Sequence, residues 1–136
     1  MKKVALLISF IVLASYAMEA ATGTPERKIP CKTPANASTC YWTHGRLRMG
    51  NGTPAYRLWK IGTHQILGIY SGPSVDRWGL DNENPEFPPN VERNLDSYNN
   101  VIFADFEVCP LEPERPGVMQ AACIETAKNL FVDKAK

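Results

Sequence analysis

The sequence predicts a mainly β protein: a small antiparallel five-stranded barrel or sandwich. Three observations carry this. Aromatic and β-branched runs recur between Tyr41 and Tyr70, separated by glycine turns. The run 101–109 alternates so that Ile102, Ala104, Phe106 and Val108 form one wholly apolar face. Proline clusters, Pro85/Pro88/Pro89 and Pro110/Pro113/Pro116, break the chain between runs.

The chain has 136 residues, the length of one ordinary domain. Two substantial domains would each fall near the size at which a core is hard to build. Collagen-like, coiled-coil and strongly disordered compositions are excluded as well.

Residues 1–17, MKKVALLISFIVLASYA, read as a secretory signal peptide. Lys2 and Lys3 form a positive start, Val4–Leu13 an apolar stretch, and Ser15-Tyr16-Ala17 a small-residue cleavage site. The apolar stretch is far short of the ~20 residues that span a bilayer. The expected location is secreted or periplasmic. Residues 18–40 are an extended lead-in with Pro25, Pro30 and Pro34, ahead of a single disulfide-stapled β domain over 41–132.

Within that domain, YWTHGRLRM, PAYRLWKI and HQILGIY predict a three-stranded antiparallel meander. Gly50-Asn51-Gly52 and Gly62-Thr63 supply its turns, because Asn-Gly tolerates positive φ. Leu47 and Met49 alternate with Arg46 and Arg48, and Leu58 with Arg57 and Trp59. Gly45, inside the first run, suggests a bulge or bend. A connection over 71–100 follows, long enough to suggest a function of its own, with a possible short helix within 90–98. Residues 118–132 fit either a helical stripe or a strand pairing back on 101–109, and the Pro116-Gly117 start favours the strand. In strand count and spacing this order is similar to an OB-fold, which also has a long connection between strands three and four. No motif accompanies that resemblance.

Cys31, Cys40, Cys109 and Cys123 are an even set behind an export signal, which implies two disulfides. Four cysteines allow three connectivities. The local pairs Cys31–Cys40 and Cys109–Cys123 are favoured because each closes a short loop; the alternative is a long staple joining the N-terminal segment to the last strand. No CxxC pattern points to zinc, and no metal or cofactor is expected.

The near-neutral composition hides a charge split. Arg27 to Val75 holds seven basic residues and no acid, whereas Asp76 to Lys136 holds twelve acids and six bases. A sheet face carrying His44, Arg46, Arg48, Arg57, Trp59 and His64, with Trp78 as a loop anchor, is the candidate ligand surface. Its expected partner is an unidentified protein, a glycan or another anionic ligand. Nucleic acid is not expected, because the chain left after cleavage at Ala17 is slightly acidic. No membrane span is expected.

The leading expectation is a small binding module without catalysis. Two alternatives stand beside it. One is a small secreted hydrolase using His44 or His64 with Asp96 or Asp105. It requires a concave pocket where a histidine meets a carboxylate. The other is a structural envelope or matrix protein, which requires an exposed apolar patch. Asp105 and Glu107 share one strand face, and acids on a solvent face account for them without chemistry. The acidic run Asp81–Glu86 fails the EF-hand spacing.

Overall fold

The computed structural model describes residues 27–76, 82–95 and 98–134. The expected leader peptide and the candidates Trp78 and Asp96 lie outside those residues.

The protein is mainly β. Five strands form it: β1 (Tyr41–Met49), β2 (Tyr56–Lys60), β3 (Ile66–Ile69), β4 (Asn100–Pro110) and β5 (Gln120–Lys134). They close into a ring in the order β1-β2-β3-β5-β4. The meander forms as expected, with Arg46 opposite Trp59 and Leu58 opposite Leu67. β5 settles the ambiguity of 118–132 in favour of a strand, pairing antiparallel with β4.

One pair departs from the antiparallel expectation. β3 and β5 run parallel, Leu67 beside Gln120 and Ile69 beside Ala122. The reason is arithmetic. Directions cannot alternate all the way round a closed ring with an odd number of strands.

Period-2 alternation fixes what lies inside. Ile102, Ala104, Phe106 and Val108 are all fully buried, together with Leu47, Leu58, Ile69 and Ile124. Gly45 makes no bulge; the register irregularities lie between β4 and β5, at Phe103/Asp105 and Glu107/Val108. It serves close packing instead, since a Cβ there would stand 2.6 Å from the Leu58 Cδ1. The predicted short helix is one turn, α1 (Pro89–Glu92). Pro88 and Pro89 start it, since proline suits a first helical turn. Val91 and Phe87 are buried in the core from this side, and Phe87 meets Tyr56 edge-on at 5.0 Å.

The disulfides correct the favoured local pairing. They join Cys31 to Cys123 and Cys40 to Cys109. Cys109 and Cys123 face each other across β4 and β5, yet each bonds to the lead-in. Between Cys31 and Cys40 the chain makes a tight turn ending in a 3-10 segment, Ala37–Thr39. Asn36 organises that turn, accepting from the Thr33 N–H at 2.7 Å and donating to the Cys31 carbonyl at 2.8 Å. The staples therefore span 92 and 69 residues of sequence. In the chain-entropy account a ~90-residue loop contributes about 4.5 kcal/mol, against about 3 kcal/mol for a 15-residue one. Arg27 fastens the same segment, donating to the Ile29 carbonyl at 2.6 Å and the Ile124 carbonyl at 2.7 Å.

Candidate functional site

Outward residues of β1 and β2 alternate with the buried ones, so neighbouring strands bring them into cross-strand rows. Arg46 lies opposite Trp59, and Arg48 opposite Arg57. Trp59 in turn lies opposite Ile66 of β3. These five residues, with Gly50 and Asn51, line a cleft of about 370 Å³.

The β1–β2 loop shapes one end of it. Gly52, at φ +95°, adopts a backbone that L side chains rarely take, and a Cβ there would sit 3.2 Å from the Arg57 Nη2. That guanidinium donates to the Asn51 carbonyl at 2.7 Å. Its Nε is buried without a hydrogen-bond partner. Trp59 is fixed at the other end, its indole N–H donating to the Thr63 carbonyl at 2.8 Å.

Arg46, Arg48 and Arg57 form no ion pair among the described residues. Arg48 reaches only the Met49 carbonyl, at 3.3 Å. Like charges directly opposite on adjacent strands are destabilising. Among the described residues the cleft is thus a focus of positive charge without an acidic partner, beside an indole.

The remaining candidates are placed differently. His44 shares the outward parity of Arg46 but turns toward β4. Its Nδ1 is 2.9 Å from the Asp105 Oδ1, and the Asn129 amide donates to Asp105 Oδ2 at 2.8 Å. The Asn129 bond, then the His44 bond, hold the Asp105 carboxyl below the usual carboxylate range. More than half of the His44 side chain is exposed, and neither His44 nor Asp105 lines the cleft beside Trp59. His64 precedes β3 rather than lying on it. It lines a separate cavity of about 350 Å³ with Glu114 and Arg115, so the two histidines are not neighbours in the sheet. Lys60 has the inward parity of Leu58 and lies opposite Gly45, its Nζ bonded to the Gln65 Oε1 at 2.6 Å and lying over the Tyr41 ring.

Ile66, Phe103 and Phe131 join this surface without being expected there. Phe103 lies opposite Arg46, and Phe131 opposite Phe103. Their ring centroids are 6.2 Å apart, and Phe131 is 65% exposed. Phe103 has the outward parity of Asp105, and that parity is its signal in the sequence. Phe131 is placed only by the β4–β5 register.

Comparison with protein families, with curated proteins and with solved structures finds no match for this chain.

Proposed function

We propose that this protein is an exported binding module, stabilised by two disulfides, that captures an anionic group between Arg46, Arg48, Arg57 and Trp59. One observation carries the reading: three guanidiniums converge on a cleft with no described carboxylate to neutralise them, two of them in direct cross-strand opposition. Holding like charges together costs stability that an anion would restore. Export follows from the leader-like first 17 residues and suits a chain with every cysteine paired.

Inorganic sulfate is the first probe. Titration followed by backbone NMR should shift the amides of 48–52 and the Trp59 indole N–H. Arg48→Ala with Arg57→Ala should remove those shifts while the melting temperature holds or rises. Sulfate binding that survives the double substitution, or unfolding of the variant, rejects the reading.

A second reading, a hydrolase, is favoured by the His44–Asp105 hydrogen bond. An acid on Nδ1 would orient the ring so that Nε2 acts as a base. Turnover of ester, peptide or glycan substrates that is lost in His44→Ala would establish it; the absence of such turnover removes it.

A further inference from the structure

The outward rows of the ring continue past the cleft. Trp59 on β2, Arg46 on β1, Phe103 on β4 and Phe131 on β5 are successive cross-strand partners. They make one continuous row over four strands, with flat apolar rings on both sides of a single guanidinium. At a strand spacing of ~4.8 Å, Trp59 and Phe103 stand about 9.6 Å apart, and Phe131 one strand further. Two strand spacings match the length of a disaccharide unit.

Charge along the row is uneven. At the Trp59 end Arg48 and Arg57 flank Arg46 without acidic partners among the described residues. At the Phe131 end the nearest outward charges are mixed: Asp105 on β4 and Asp133 on β5, with Lys128 directly opposite Asp105. Asp105 is held by His44 and Asn129, and the Lys128 ammonium lies over the Trp42 ring. A polymer with an anion on every unit would bring charge to an end that lacks the arginine excess. One with charged and neutral units in alternation would set its acid on the arginines and a neutral ring on the phenylalanines.

We propose that the row Trp59–Arg46–Phe103–Phe131 is the binding path for an acidic oligosaccharide in which charged and neutral sugars alternate. The proposal rests on the anion-capturing reading of the cleft and extends it. Pyranose rings present a C–H face to the indole and the two phenyl rings. The carboxylate or sulfate of a charged sugar takes the guanidinium of Arg46 and its neighbours, for which planar bidentate contact is the natural geometry. Single-stranded nucleic acid also stacks on aromatic rings beside arginine, but it carries a phosphate at every nucleotide, and the arginine excess is confined to the Trp59 end of the row.

The test is calorimetric titration of the oxidised protein with hyaluronan and chondroitin sulfate hexasaccharides and their disaccharides. Chitohexaose serves as the neutral chain and (dT)6 as the fully charged one. At least one acidic hexasaccharide should bind about tenfold or more tighter than its disaccharide, and tighter than chitohexaose or (dT)6. Phe131→Ala, an exposed position, should weaken that hexasaccharide by about 5-fold or more, in the range of a truncated aromatic anchor. It should leave disaccharide and inorganic sulfate binding unchanged. Equal affinity for both lengths, an unaffected Phe131→Ala, equal binding of chitohexaose or tighter binding of (dT)6 each overturns the proposal. If sulfate still titrates the cleft in that case, only the path falls. If sulfate binding is missing as well, the anion-capturing reading falls with it.

Discussion

The two sides of the outer sheet handle charge in opposite ways. On β4 and β5 the acids at 105 and 107 are each met by a donor: Asp105 by Asn129 and His44, Glu107 by Lys32. Lys128 is occupied too, its ammonium 4.3 Å above the Trp42 ring. On β1 and β2 three arginines converge and no described carboxylate reaches them. Both sides are backed by the same closed core, so packing does not explain the contrast. A solvated face settles its charges locally; a face left unsettled is one that an external anion can complete.

The comparison breaks most sharply if the arginines are reversed. Arg48→Glu with Arg57→Glu should abolish capture of sulfate or acidic glycan, at least about 100-fold in affinity, without converting the β4–β5 side into a binder. Titration calorimetry reads both. Next in size is a change beneath the two sides at once. Gly45→Ala places a methyl against Leu58 and Phe106 and should destabilise the fold by about 1–3 kcal/mol, the usual cost of overpacking. Denaturant unfolding measures it, and a neutral result would mean that the ring has slack at Gly45. Smaller again is Glu107→Gln. Loss of the pair with Lys32 should cost about 0.2–1 kcal/mol and leave ligand affinity alone. A marked affinity change would show that the two sides are coupled.

The smallest effect is a titration. The Asp105 carboxyl is lowered by Asn129 first and His44 second. A group lowered in the folded state contributes stability above its unfolded value, and that contribution is lost as pH falls through the folded one. Asn129→Ala should therefore raise the Asp105 midpoint toward the ordinary carboxylate value in a carboxyl-carbon NMR titration. An unmoved midpoint would assign the lowering to His44 instead.

The strands are legible in the sequence because a half-buried sheet writes itself as period-2 alternation. Ile102, Ala104, Phe106 and Val108 declare their face by spacing alone, and so do Leu47 and Leu58. The convergence of Arg46, Arg48, Arg57 and Trp59 is legible by the same rule, since like parity on adjacent strands shares a face. What stays hidden depends on ring closure. The parallel β3–β5 contact follows from the odd strand count of a closed ring, not from either strand's residues. The Phe103–Phe131 pair requires the β4–β5 register, which two irregularities shift. The disulfide pairing is misleading in the sequence because short separation favours Cys31–Cys40, whereas the lead-in folds back across β4 and β5. Charge segregation along the chain mixes real interleaving, as in Lys32 with Glu107, with the uncompensated arginines.

The nested order of the two staples sets a problem of timing. As the chain emerges from its amino end, Cys31 and Cys40 are exposed together long before Cys109 and Cys123 exist outside the ribosome or channel. An oxidant acting early can join only the wrong partners. The native bonds then require thiol–disulfide exchange, a process of seconds to hours without a catalyst. β5 supplies the last of the four cysteines and completes the ring with β3 and β4. Maturation is thus governed by the strand that arrives after the rest of the ring, and an isomerase or a delayed oxidation step would decide the yield of the folded form.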